Sequence, residues 1–301
     1  MRAGHHNRDP ALAVDRRVTP EDLEALLALP LPVRARTLSR SLWVGLQTTR
    51  KRGPGGTFRE LRPYDRGDPL NRIDWRASAR LDRWMVREDD RLSHLKVALL
   101  IDRSPSMDTP DGPVSKRARA ETLAAAIGLH AIRQGHSVTL LDGADFQPPA
   151  GGRTGRTRIL DRLEAAPPTG RFTPPVDACA VHIDLVILVS DLLDPGSEVL
   201  LESLGDLTAR GRDVRVLHLL DPLEREFGLR GPQSLDLIEA DAAARLRLDA
   251  SRIRNAYLNN LESFIVTTRR IARHADIPLR LSAEPAQLLT DAVFLASGER
   301  T

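Results

Sequence analysis

The chain predicts an α/β fold, a parallel-sheet core with helices on both faces. Three observations carry this expectation. From Leu95 onward, short apolar runs alternate with helix-length amphipathic stretches, the mark of a parallel sheet covered on both sides. Two of the runs, Val97-Ala98-Leu99-Leu100-Ile101 and Leu185-Val186-Ile187-Leu188-Val189, are apolar throughout, as strands buried on both faces are. Each ends abruptly in polar residues, Asp102 and Ser190-Asp191, and open α/β folds bind ligands at the carboxyl ends of their strands.

The elements follow in order. Residues 1–50 form an N-terminal helical and flexible segment. Within it Pro20 to Leu27 reads as a helix with Thr19 as its N-cap, and a second short helix is expected over Val33 to Trp43. Arg50-Lys51-Arg52-Gly53-Pro54-Gly55-Gly56 is an exposed basic loop. Residues 51–93 form an Arg/Trp-rich segment. Between Thr57 and Asp90, eight arginines are balanced by eight Asp or Glu residues, an alternation typical of a solvated face. Its tryptophans and bidentate-capable arginines suit a recognition surface, with Arg72, Asp74, Trp75, Arg76 and Arg80 as candidate partner-binding residues. Arg66-Gly67-Asp68 spells an adhesion tripeptide and is read as a simple turn.

Residues 94–301 then form the α/β domain. Strands are expected at Lys96–Ile101, Ser137–Leu141, Asp184–Val189, Asp213–Leu220 and Ile277–Leu281, with helices at Val114–Gln134, Arg158–Ala165, Ser197–Arg210, Ser251–Ala275 and Ala286–Leu295. Gly211 stops the helix before it. A small hairpin, Leu235–Ala240 with Ala244–Leu248, forms an insertion near 223–250, and no internal repeat is present.

Composition bounds the rest. With 41% hydrophobic and 28% charged residues, the chain is an ordinary soluble globular one. A net charge of +3 over 301 residues makes no electrostatic case for nucleic acid. The single Cys179 excludes an intrachain disulfide and fits a reducing compartment; it reads as a small buried apolar residue. The first residues lack the apolar core of a signal peptide, and no window approaches the length that spans a bilayer. A cytoplasmic location is expected.

Asp102-Arg103-Ser104-Pro105-Ser106 is the most informative stretch. Alternate residues of an extended segment face the same way, so one carboxylate and two hydroxyls converge. Hard oxygen ligands carrying little charge suit Mg²⁺, or another divalent cation such as Mn²⁺ or Ca²⁺, better than Zn²⁺. Asp191 falls on the same sheet edge, and Thr173, with Thr169 competing in the same loop, brings a third hydroxyl. The candidate metal ligands are therefore Asp102, Ser104, Ser106, Thr173 and Asp191.

These residues resemble the metal-ion-dependent adhesion site of von Willebrand factor A domains. The run Gly56-Thr57-Phe58-Arg59-Glu60-Leu61-Arg62-Pro63-Tyr64, then Gly67-Asp68-Pro69 and Arg72-Ile73-Asp74-Trp75-Arg76-Ala77-Ser78-Ala79-Arg80, followed by Val86-Arg87-Glu88, closely resembles the signature of domain-of-unknown-function family 58, bacterial proteins with that core. Asp221-Pro222-Leu223-Glu224-Arg225-Glu226 and Leu237-Ile238-Glu239 fit it too, and the resemblance covers roughly residues 50 to 296. It implies a von Willebrand factor A-like sheet in which Ser104 and Ser106 bind the ion directly. Asp102 and Asp191 act largely through water, the threonine binds directly in one state, and one position stays open for a partner carboxylate. It also implies a MoxR-type AAA+ ATPase partner in chaperone-like assembly or maturation of other proteins. Arg103 departs from the family pattern and is expected to put a bulky charge beside the site.

An enzyme is the contrasting expectation. A strand-end phosphotransferase wants a second carboxylate where Ser104 stands. A serine hydrolase wants a histidine near Ser104 or Ser106, whereas His130 and His136 read as surface or cap residues. Metal-dependent phosphate hydrolysis is the remaining enzymatic alternative.

Overall fold

In a computed structural model of the chain, the described residues are 20–35, 57–64, 73–81, 83–90, 94–108, 115–168, 170–227, 232–239 and 242–298. They divide into two units, Met1–Leu38 with Leu95–Thr301, and Ser39–His94. In chain order, helix α1 spans Pro20–Ala28, strand β1 Thr57–Pro63, α2 Trp75–Leu81 and β2 Met85–Asp90. The larger unit resumes with β3 Lys96–Ile101, α3 Lys116–Arg133, β4 Ser137–Leu141, α4 Gly152–Glu164, α5 Val176–His182, β5 Leu185–Ser190, α6 Ser197–Ala209 and β6 Asp213–Leu219. It ends with α7 Pro222–Glu226, β7 Pro232–Glu239, β8 Ala242–Asp249, α8 Ala250–His274, β9 Leu279–Ser282 and α9 Leu288–Ser297.

The period-2 alternation of the strands builds two cores. On one face Val97, Leu99 and Ile101 of β3 pack with Ile187 and Val189 of β5 against α3, α4 and α9. On the other, Ala98, Leu100, Val186 and Leu188 pack against α5, α6 and Ala272 of α8. The expected helices on both faces follow from this split.

The five strands run parallel in the order β4-β3-β5-β6-β9. Chain order reverses between β3 and β5, because β4 lies on one side of β3 and β5 on the other. Such a switch point opens a crevice at the carboxyl ends of its two strands. Asp102 ends one of them and Ser190 the other.

Two expectations near the N-terminus change. Leu31 to Ala35 is not helical, although a helix was expected from Val33; residues 36–43 lie outside the described residues. Tertiary bonds override the local propensity here. Gln134 accepts from the Val33 amide (2.9 Å) and donates to the Leu31 carbonyl (2.7 Å), and the Arg34 amide reaches the Ala296 carbonyl at 3.0 Å. His130 and His136 are buried rather than surface residues. His130 Nε2 meets the Leu26 carbonyl at 3.0 Å. His136 Nδ1 accepts the Leu95 amide at 3.3 Å, which leaves Nε2 to donate to the Val33 carbonyl at 3.3 Å.

The smaller unit pairs β1 with β2 antiparallel, with a register shift between Phe58 and Glu60. Asp74 caps α2 by accepting from the Ala77 amide at 3.0 Å, and Ser78 Oγ accepts the Met85 amide at 2.9 Å. Trp75 (64% exposed) and Trp84 (56%) stand in solvent, Trp84 edge-on to Tyr64. Arg76 and Arg80 are exposed, Asp74 is committed to its cap, and Arg72 lies outside the described residues. β7 and β8 form the expected hairpin. No helix among the described residues is long and apolar enough to cross a membrane.

Candidate metal centre

The site is built on the ends of β3 and β5. The Asp102 amide donates to the Val189 carbonyl at 3.0 Å, extending the β3–β5 ladder by one rung. The chain then turns, with Asp102 Oδ1 accepting the Ser104 amide at 2.9 Å. Pro105–Asp108 forms one 3₁₀ turn, closed by the Met107 amide on the Ser104 carbonyl at 3.0 Å, and Met107 is fully buried beneath it. This holds Ser104 and Ser106 side by side, their hydroxyl oxygens 3.1 Å apart. Neighbouring oxygens around an octahedral cation with bonds of ~2.1 Å would lie ~3.0 Å apart, so the pair is spaced as cis ligands of one small hard ion.

The period-2 argument also disposes of Arg103. Its side chain takes the opposite face from Asp102 and Ser104 and is buried behind the loop instead of beside the site. Nε donates to Glu121 and Nη1 to Asp142, both at 2.8 Å. The remaining donors meet the carbonyls of Arg162, Leu163 and Ala165 at 3.0, 3.2 and 2.7 Å. The guanidinium clamps the loop to α3, to the end of β4 and to the end of α4.

Ser190, which sequence reasoning passed over, joins the two strand ends. Its hydroxyl donates to Asp102 Oδ2 at 2.6 Å and accepts the Leu192 amide at 2.9 Å. Asp191 Oδ1 accepts the Leu193 amide at 3.1 Å. Between them Leu192 is buried at φ 56°, a left-handed conformation costly for a bulky L-residue. The turn after Asp191 is therefore held by bonds and packing against its own preference.

Burial, then the nearby Asp191 charge, push the Asp102 carboxyl above its ordinary value, against the hydrogen bonds from Ser104 and Ser190. Asp191 has a partner no sequence pattern suggested. Lys116, the first residue of α3, places its ammonium 2.8 Å from Asp191 Oδ2 and 2.6 Å from Glu224 Oε1, with no side-chain exposure. Burial works against the charged lysine, but the two carboxylates more than offset it and hold its pKa above the usual value. Beside β5, burial lowers His218 of β6 to about 4, leaving a neutral imidazole.

Thr173 is exposed and lines a groove of about 660 Å³ together with Asp102 and Ser190, walled by Phe172, Pro174 and Val199. Thr169 lies outside the described residues. The arrangement thus gathers Asp102, Ser104 and Ser106 at the end of β3, with Thr173 in the adjoining groove, whereas Asp191 at the neighbouring strand end is fully buried, its two oxygens taken by the Leu193 amide and the Lys116 ammonium. No group of three or more His, Cys, Asp or Glu side chains suited to a metal occurs among the described residues; hydroxyls supply much of this donor set. His130 and His136 contact the N-terminal segment and the start of β3, so neither stands by Ser104 or Ser106. Cys179 is buried, as expected of a small apolar residue.

Residues 60–263 match the model of a family described as protein of unknown function DUF58. Two uncharacterized proteins, Mb1516 of Mycobacterium bovis and Rv1480 of Mycobacterium tuberculosis, are each 27% identical over 263 residues, covering 82% of this chain and 81% of theirs. Among solved structures, the crystal structure of conserved hypothetical protein BatB from Bacteroides thetaiotaomicron aligns with a TM-score of 0.42 at 13% identity. That alignment covers 66% of this chain and 95% of the other.

Proposed function

The chain belongs to the DUF58 family, and from that premise we propose that it is a metal-dependent protein-interaction adaptor. The observation that carries this reading is the pair of hydroxyls 3.1 Å apart beside a buried strand-end carboxylate at the sheet's switch point. In the proposal Ser104 and Ser106 hold a divalent cation directly, Asp102 holds it through water, and Thr173 approaches from the groove. Hard oxygen donors of this kind suit Mg²⁺, or another divalent cation such as Mn²⁺ or Ca²⁺. The cation supplies an electron-poor coordination position, which a carboxylate from another protein fills. Asp102 is pre-oriented by the Ser104 amide and Ser190 hydroxyl, so little ordering remains to be done on binding. The partner proposed is a MoxR-type AAA+ ATPase, and the role is assembly or maturation of client proteins.

The test is a pull-down from native-host lysate with wild type and Asp102→Ala, each with Mg²⁺ or EDTA, and identification of what is recovered. An AAA+ ATPase recovered only by wild type with Mg²⁺ is the expected result. Equal recovery in all four arms refutes docking through this site. Asp102→Ala should keep the wild-type circular dichroism spectrum, because the residue lies at the sheet's edge.

A further inference from the structure

We propose that the exposed face of α2 and the turn after it form a second docking surface, which takes an acidic segment of a partner protein carrying an apolar anchor. It works without a metal ion and does not depend on the metal-site reading above.

The first observation is where exposed apolar surface collects. Eight large apolar side chains stand well exposed among the described residues, and Trp75, Leu81 and Trp84 are three of them, within ten residues of one another. The smaller unit buries Ile73, Ala77 and Met85 instead, so its two described tryptophans are not core residues. Clustered exposed apolar groups mark interaction sites, and tryptophan and arginine are the residue types that most often anchor them.

The second observation is charge. Along α2, Ala77 and Ser78 are buried while Trp75, Arg76, Ala79 and Arg80 are exposed. At about 100° per residue these four fall within an arc of about 140°. Trp75 and Ala79 form one row along it, Arg76 and Arg80 the next, and Arg83 follows in the turn, also exposed. Among the described residues no acidic side chain is paired with any of the three arginines, and Asp74 is committed to its cap. Guanidinium forks one turn apart match carboxylates bidentately.

The third is rigidity. The Asp74 amide donates to the Met85 carbonyl at 2.9 Å and the Tyr64 amide to the Trp84 carbonyl at 2.8 Å. Trp75 follows one end of the first bond and Trp84 precedes the other, so one hydrogen bond ties together the chain points that carry them. Little ordering then remains to be done on binding.

Other occupants fit less well. A second copy meeting the same patch would set arginine against arginine. Nucleic acid is held by summed neutralisation of phosphates, and between Thr57 and Asp90 the acids balance the arginines eight to eight. Attraction is therefore short-range, as between forked arginines and carboxylates beside an apolar side chain.

The experiment selects binders of the full chain from a phage-displayed library of random peptides, in EDTA so that no metal contributes. Wild type should enrich peptides that combine Asp or Glu with a large apolar residue. Affinity for an enriched peptide, read by fluorescence anisotropy, should fall at least about tenfold in Trp75→Ser and, independently, in Arg76→Gln with Arg80→Gln. All these side chains are exposed, so both variants should melt as wild type does. No enrichment, enriched peptides without acidic residues, or equal affinity in the variants overturns the proposal. Binding of a labelled oligothymidine that both variants lose overturns it in favour of nucleic acid. A wild-type dimer in sedimentation that Trp75→Ser dissociates overturns it in favour of a second copy. Ser104→Ala should bind the peptide as wild type does, so this surface and the metal site stand or fall separately.

Discussion

Replacing Arg103 by methionine should both destabilise the protein and do so in a pH-dependent way. The side chain is 4% exposed, and all five of its N–H donors are used, two on carboxylates and three on carbonyls. Asp142 keeps a second partner in Arg162 (Arg162 Nε to Asp142 Oδ1, 2.7 Å), so Glu121 bears most of the loss. Breaking a buried ion pair from one side costs about 3–5 kcal/mol, which for a domain of this size lowers Tm by roughly 10 °C. Burial already raises the Glu121 carboxyl above its ordinary value, against the pull of Arg103. Without Arg103 it rises further. A group whose folded pKa exceeds its unfolded one contributes stability below the unfolded value and loses it as pH climbs through the folded value. The deficit of Arg103→Met relative to wild type should therefore be larger near pH 8 than near about pH 5.5. Thermal melts followed by circular dichroism at both pH values read this directly. A Tm within about 2 °C of wild type, or an equal deficit at both pH values, would refute the account of Arg103 as the loop's rear anchor.

Two further outcomes are expected. Removing residues 1–35 strips Leu26, Leu31 and Val33, each under 5% exposed, from the core of the larger unit. At about 1.5–3 kcal/mol per side chain as an upper estimate, this rivals the whole stability of a typical domain, so the truncated chain should lose its cooperative melt, and a melt within about 3 °C of wild type would contradict it. Cys179 is fully buried and burial pushes its thiol up to about 11. It should resist a disulfide reagent at neutral pH and react when the chain is denatured, whereas rapid native labelling would show the site is open.

The sheet was legible because its central strands are apolar on both faces, a pattern few other structures produce. Asp102, Ser104, Ser106 and Asp191 were legible for a related reason, since strand ends mark a place in space. The same two-residue period should have turned Arg103 away from them. Helix α4 begins at Gly152, six residues before the expected start at Arg158. Gly151, Gly152 and Gly155 precede that expected start, yet Gly155 is demanded by packing, because a Cβ there would come within 2.2 Å of the Ala150 carbonyl oxygen. Lys116 was invisible for want of any local signal. Its carboxylates lie 75 and 108 residues away, and only the closed sheet brings them together. The buried histidines were misjudged for the same reason, since their carbonyl partners are about 100 residues distant.

His136 carries a consequence for modularity. One imidazole binds the Val33 carbonyl and the Leu95 amide, points of the larger unit that lie on either side of the smaller unit in the chain. The larger unit thus closes its own perimeter without residues 39–94, as a ring is closed by a clasp. In chain order the smaller unit is therefore an insertion between two points that one side chain of the larger unit holds together.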